Sequence, residues 1–205
     1  VQPKPLFTTA PPPVATTREV LDPALGPSGA LGHPRAWFVL RHGRENDLSR
    51  ALRSLPGKID DRRIGHYRLV GIEGLRIGAK LSETRGGPAP RPCRLGGAAR
   101  VMTIVSPARG RPVAHRWRAT LGKRLVVLGG IEDGNVIYGR QPAFVRVAVD
   151  GKPLGTLRLR NLPGTELTVI DTSAFAGTEH DVEAIVTTRD ATPRVACIDG
   201  WATAP

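Results

Sequence analysis

Residues 142–161, PAFVRVAVDGKPLGTLRLRN, restrict the fold of this chain more than any other stretch. Val145, Val147 and Val149 alternate with Arg146 and Ala148, and Leu157 and Leu159 alternate with Arg158 and Arg160. Each arm therefore has one apolar face at the two-residue period of a strand. Asp150-Gly151 between the arms accepts the positive φ angles of a tight primed turn. The pattern predicts an antiparallel β-hairpin with one buried face.

The same pattern of short strands and sharp turns continues on both sides. Strands are expected at residues 100–106, 112–121, 123–128, 143–149, 154–160, 166–170, 181–188 and 194–198. Turn residues separate them: Pro107 with Gly110, Gly129-Gly130, Gly139 with Pro142, Asn161 with Pro163-Gly164, Gly177, and Asp190 with Pro193. A single open sheet of this size would leave one apolar face in water, so the expectation is a two-sheet antiparallel jelly-roll β-sandwich over residues 100–205. Val145, Val147, Val149, Leu157, Leu159, Leu167, Val169, Val182 and Val186 are its expected core, joined by Trp117.

The chain before the sandwich reads differently. Residues 1–34 hold Pro3, Pro5, Pro11, Pro12, Pro13, Pro23, Pro27 and Pro34 among Thr, Ala and Gly, the composition of a linker or extended strap. Residues 35–85 read as a small α/β unit. The continuous apolar run 36–40 suggests a strand buried on both faces, and Leu48, Ala51, Leu52 and Leu55 lie at helical spacing before Pro56-Gly57. A polar loop over 58–63 precedes one or two strands over 66–81. Residues 86–99, rich in Gly and Pro, read as a linker. The fold class is thus mainly β, a jelly-roll sandwich preceded by a small α/β unit and a Pro-rich N-terminal segment. With 19 Pro and 24 Gly in 205 residues, long helices are excluded.

No apolar run approaches the roughly 20 residues of a membrane-spanning helix, and the first residues have no secretory-signal pattern. The formal charge is +12, which suggests an acidic partner. Its distribution argues against a specific nucleic-acid surface: residues 1–100 hold 17 Lys and Arg against 8 Asp and Glu, residues 101–205 hold 13 against 10, and no basic run or aromatic stacking platform accompanies them. Cys93 and Cys197 have no metal or redox spacing. In an exported protein they pair as a disulfide, and in a cytosolic one they stay buried thiols.

Three groups of side chains could carry chemistry. Phe38 to Glu45, FVLRHGRE, resembles the opening motif of the histidine phosphatase and phosphoglycerate mutase superfamily, which makes His42 the phosphoryl acceptor of an alternative, enzymatic reading. That family needs a second histidine, usually followed by glycine. Here His66, His115 and His180 are followed by Tyr, Arg and Asp. Glu132 and Asp133 in a loop, with Asp199, could hold a calcium ion at one end of a sandwich. Tyr138 and Trp201, read as lying outside the strands, could offer rings to the C–H faces of a sugar.

Residues 125–201, with the order VVLGGIED, FVRVAVDG, NLPG, VIDTS and VACIDG, resemble galactose-binding-like and NPCBM-like carbohydrate-binding sandwiches. They are also similar to the extracytoplasmic tail domains of bacterial membrane glycosyltransferases. The resemblance implies a non-catalytic module without a cofactor, outside the cytoplasm, on a larger envelope protein. Its partner would be a glycan or an adjacent domain of a parent membrane protein. Tyr138, Trp201, Glu132 and Asp133 are the candidate ligand-binding residues.

Overall fold

The computed structural model describes residues 35–40, 52, 53, 55, 57–74 and 77–205. Among them the chain forms β1 (Arg35–Leu40), β2 (Lys58–Ile64), β3 (Tyr67–Glu73), β4 (Ile77–Lys80), β5 (Arg91–Leu95), β6 (Ala98–Val105), β7 (Val113–Thr120), β8 (Arg124–Ile131), β9 (Ala143–Val149), β10 (Lys152–Leu159), β11 (Glu166–Asp171), β12 (Glu179–Thr188) and β13 (Ala196–Thr203). They make a three-stranded sheet β1-β3-β2, a four-stranded sheet β10-β9-β12-β7 and a six-stranded sheet β11-β8-β13-β6-β5, in which β4 pairs with the far end of β13. The fold is mainly β and antiparallel, as the alternation predicts.

The hairpin of β9 and β10 turns on Asp150 (φ 48°) and Gly151 (φ 79°). The Asp150 carboxylate then accepts hydrogen bonds from His180 Nδ1 at 2.6 Å and from the Asp181 amide at 3.0 Å, which fastens the turn to the start of β12. From β6 to β13 the chain passes back and forth between the four- and six-stranded sheets, enclosing a core that contains Trp117, Leu125, Val127, Val145, Val147, Leu159, Val182 and Ile198.

The six-stranded sheet is covered on both faces. Leu125, Val127 and Ile131 of β8 point into the sandwich core, whereas Val126 and Leu128 join a second buried cluster with Cys93, Leu95, Met102, Cys197 and Trp201. That cluster also contains Ala36, Phe38 and Leu40 of β1, Val70 and Ile72 of β3, and Leu52 and Leu55. The three-stranded sheet is therefore a third layer. This accounts for β13, in which every residue is buried.

Several expectations need correction. Leu167 and Val169 are only half-buried and pack against the second cluster rather than the sandwich core. The run 36–40 alternates: Ala36, Phe38 and Leu40 are buried, while Trp37 and Val39 are 46% and 66% exposed. The expected polar loop 58–63 is strand β2, whose exposed residues are held by Asp–Arg pairs instead of apolar contacts. Residues 91–95, expected to lie in a linker, form β5; Pro92 is tolerated because β5 is an edge strand. Gly129 and Gly130 do not turn the chain but lie inside β8, where a side chain at Gly130 would sit 1.9 Å from the Gly164 carbonyl oxygen. The Pro-rich segment 1–34 lies outside the described residues, as does most of the helix expected over 45–55.

Cys93 and Cys197 form a disulfide with Cα atoms 6.5 Å apart. It ties the β5–β6 hairpin to the central strand β13, and both residues are buried.

Candidate functional site

The outer face of the three-stranded sheet gathers the most unusual exposed surface. Its register sets Arg35, Glu73 and Lys58 in one row across the strands, then Trp37, Gly71 and Asp60, then Val39, Leu69 and Arg62, with Tyr67 beside Ile64 at the end. The inner face carries Phe38, Val70 and Ile72 into the buried cluster, so the two-residue period forces the intervening residues outward.

Trp37 lies across this face because Gly71 opposite it has no side chain. A Cβ at Gly71 would meet the indole Cη2 and Cζ3 at 2.8 Å, so the benzo edge of the ring rests where a side chain would stand. The Arg62 guanidinium lies 6.0 Å from the ring centroid, within cation–π range. Around the ring is an open groove of about 550 Å³ lined by Arg35, Trp37, Lys58, Asp60, Arg62 and Glu73 among others. An aromatic ring, held in place and surrounded by charged hydrogen-bonding groups, suits a ligand with one apolar face and a polar perimeter.

The charges in the groove are ordered. Arg62 grips Asp60 with two hydrogen bonds of 2.8 and 2.6 Å, and Arg35 reaches Glu73 at 2.6 Å. These bonds hold both carboxyls below their ordinary range. On the inner side, two bonds from Arg68 at 2.7 and 2.6 Å do the same for Asp61. Among the described residues Lys58 makes no ion pair, although its field acts on Asp60 and Glu73.

A pH dependence follows. A carboxyl whose folded pKa is depressed lends stability above its unfolded pKa and loses it as pH falls through the folded value. Asp199 works in the opposite sense: burial raises its pKa, so it takes up a proton more readily in the fold and partly offsets the loss. The urea midpoint is expected to fall as pH is lowered from 6 to 3, chiefly below about pH 4. Asp61→Asn should lower stability at neutral pH by about 1 kcal/mol and flatten that acid limb. An unchanged acid limb in Asp61→Asn would refute the assignment.

The residues singled out from the sequence are dispersed. Trp201 is 5% exposed. It was expected beyond the last strand, but β13 continues to Thr203, pairing Gly200, Trp201 and Ala202 with Val127, Val126 and Leu125 of β8. Trp201 packs in the second cluster with the Lys80 ammonium 5.9 Å from its ring, so it offers no platform to solvent. Tyr138 is 77% exposed in the loop between β8 and β9 and is not among the residues that line the groove. Trp117 is a core residue, as expected.

Glu132 accepts hydrogen bonds from the Gly134 amide and Asn135 Nδ2, and Asp133 from the amides of Gly96 and Gly97. Asp199 is held by Ser82 and Lys80. The three carboxylates do not converge, and no group of three or more His, Cys, Asp and Glu among the described residues is placed to hold a metal ion. His42 lies outside the described residues.

Sequence reasoning missed Trp37, having taken its strand as doubly buried. The signal was present as Arg35-Ala36-Trp37-Phe38-Val39-Leu40, a period of two hidden by apolar residues on both faces, with a glycine at the cross-strand position.

The fold defines a β-sandwich protein with a third, docked sheet. No family model matches the chain, and no curated protein matches it. Among solved structures it is similar to the CBM51-2 and INT domains of Clostridium perfringens ZmpB, with 11% identity over 63% of this chain and 30% of that one and a TM-score of 0.36. A second likeness is to a glycoside hydrolase family 43 arabinoxylan arabinofuranohydrolase from Bacillus subtilis, solved with cellotetraose, with 18% identity over 73% and 27% and a TM-score of 0.35. The chain spans less than a third of the length of these proteins. At such scores neither neighbour assigns a ligand or an activity to it.

Proposed function

We propose that this chain is a non-catalytic, extracytoplasmic β-sandwich module of a larger bacterial envelope protein, and that it binds glycan through the Trp37 groove. The observation that carries the reading is Trp37 itself. A half-exposed indole is seated over Gly71, and Arg35, Lys58, Asp60, Arg62 and Glu73 stand around it to hydrogen-bond sugar hydroxyls. A pyranose presents axial C–H groups on one face and hydroxyls around its rim, which matches this layout. The buried Cys93–Cys197 disulfide supports a location outside the reducing cytoplasm.

The test is calorimetric titration with neutral and acidic oligosaccharides, using wild type and Trp37→Ala. Trp37 has no part in the buried clusters, so Trp37→Ala should fold normally while weakening binding by at least about tenfold, or about 1.4 kcal/mol. Gly71→Val, which drives the indole from its seat, should act in the same direction. Binding indifferent to both substitutions would remove the groove from consideration. Absence of binding to every glycan at millimolar concentration would overturn the reading.

A further inference from the structure

Resting on the glycan reading above, we infer that the groove selects acidic sugars, and that Lys58 recognises a single ring carboxylate, as on a uronic acid. The charge pattern points to this. Arg35 is committed to Glu73, Arg62 to Asp60 and Arg68 to Asp61, each with a contact of 2.6 Å. Those pairs neutralise one another and leave Lys58 as the cation without an ion pair among the described residues lining the groove. Lys58 lies in the row beside that of Trp37, on the far side of β3. A sugar stacked on the indole therefore directs its perimeter toward Lys58, Asp60 and Glu73.

The sign and size of the charge narrow the ligand. Asp60 and Glu73 flank Lys58 closely enough for its field to act on both, so a dianionic group would meet two carboxylates for one spare ammonium. A carboxylate brings one charge to one cation. Arg62 engages both oxygens of Asp60 and Arg35 engages Oε1 of Glu73, which lessens the repulsion of the incoming anion by these carboxylates. The net charge of +12 adds a long-range attraction for polyanionic glycan.

Trigalacturonic acid and its methyl ester separate this inference from the one beneath it, because they share sugar rings and differ in charge. Wild type should bind the acid at least about tenfold more tightly than the ester, a preference that shrinks as salt is raised. Lys58→Gln should abolish the preference, weakening binding of the acid far more than binding of the ester. Lys58 is exposed and belongs to neither buried cluster, so this variant should fold. Equal binding of acid and ester, lost in Trp37→Ala, would overturn the acidic selectivity while leaving the glycan reading intact. A preference that survives Lys58→Gln would overturn the role of Lys58. Failure of acid, ester and neutral oligosaccharides alike to bind would overturn the glycan reading and this inference together.

Discussion

The double substitution Cys93→Ala/Cys197→Ala is expected to lower the free energy of unfolding by about 4 kcal/mol. The disulfide spans 104 residues, a separation at which the chain-entropy account places the effect near its upper end. The bond also has a local role. Among the described strands β5 pairs only with β6, so Cys93 is its covalent hold on β13, and the hairpin carries Leu95 and Met102 into the second buried cluster. Urea unfolding measures the loss as a lower midpoint, with a larger m-value because the uncrosslinked unfolded chain expands further. A loss below about 1 kcal/mol would show that the unfolded chain is already compact across this span. Both cysteines are buried, so reductant should leave the native protein intact and act only once denaturant opens it.

The second large effect is expected at Arg194, which is fully buried where the loop after β12 enters β13. Its guanidinium donates to the Asp190 carboxylate and Asn161 Oδ1, and to the Gln141 carbonyl at 3.0 Å, joining three loops at one end of the sandwich. Asp190→Ala strands that positive charge in the interior and should cost about 3–5 kcal/mol. Adding Arg194→Met removes the stranded charge and keeps apolar volume, so the double variant should be more stable than Asp190→Ala alone. Chemical denaturation of the four members of this cycle gives the coupling. If the double variant is the less stable, Arg194 serves through its packing and not through its pairing.

The sandwich was legible because its strands alternate sharply between apolar and polar residues. All eight expected strands over 100–205 are present, and Val145, Val147, Val149, Leu157, Leu159, Val182 and Val186 are buried in its core. What escaped is whatever depends on neighbours distant in sequence. Strand β2, KIDDRRI, has little apolar signal and takes its place through β3 and arginine–carboxylate pairs. Gly129 and Gly130 look like a turn in sequence, yet, like Gly200, they are gaps left for neighbouring backbone and side chains. A short apolar run gave the same signal in β1 and β8, but only β8 has a layer on each side. The candidate site suffered most. Gly71 beneath Trp37 is 34 residues away, and no local pattern links the two.

The three-layer arrangement has a consequence for synthesis of the chain. The strands β1 to β3 leave the ribosome before the sandwich, but the surface that covers their apolar face includes Val126 and Leu128 of β8 and Cys197 and Trp201 of β13. The emerging N-terminal sheet must therefore wait for more than 120 residues of later chain before Trp201 arrives to complete its burial. During that interval Phe38, Val70 and Ile72 face water or a chaperone, and the cysteine at 93 stays unpaired until its partner at 197 appears. Production of the protein should consequently be limited by how long the nascent chain can be kept from aggregating and from oxidising with the wrong thiol.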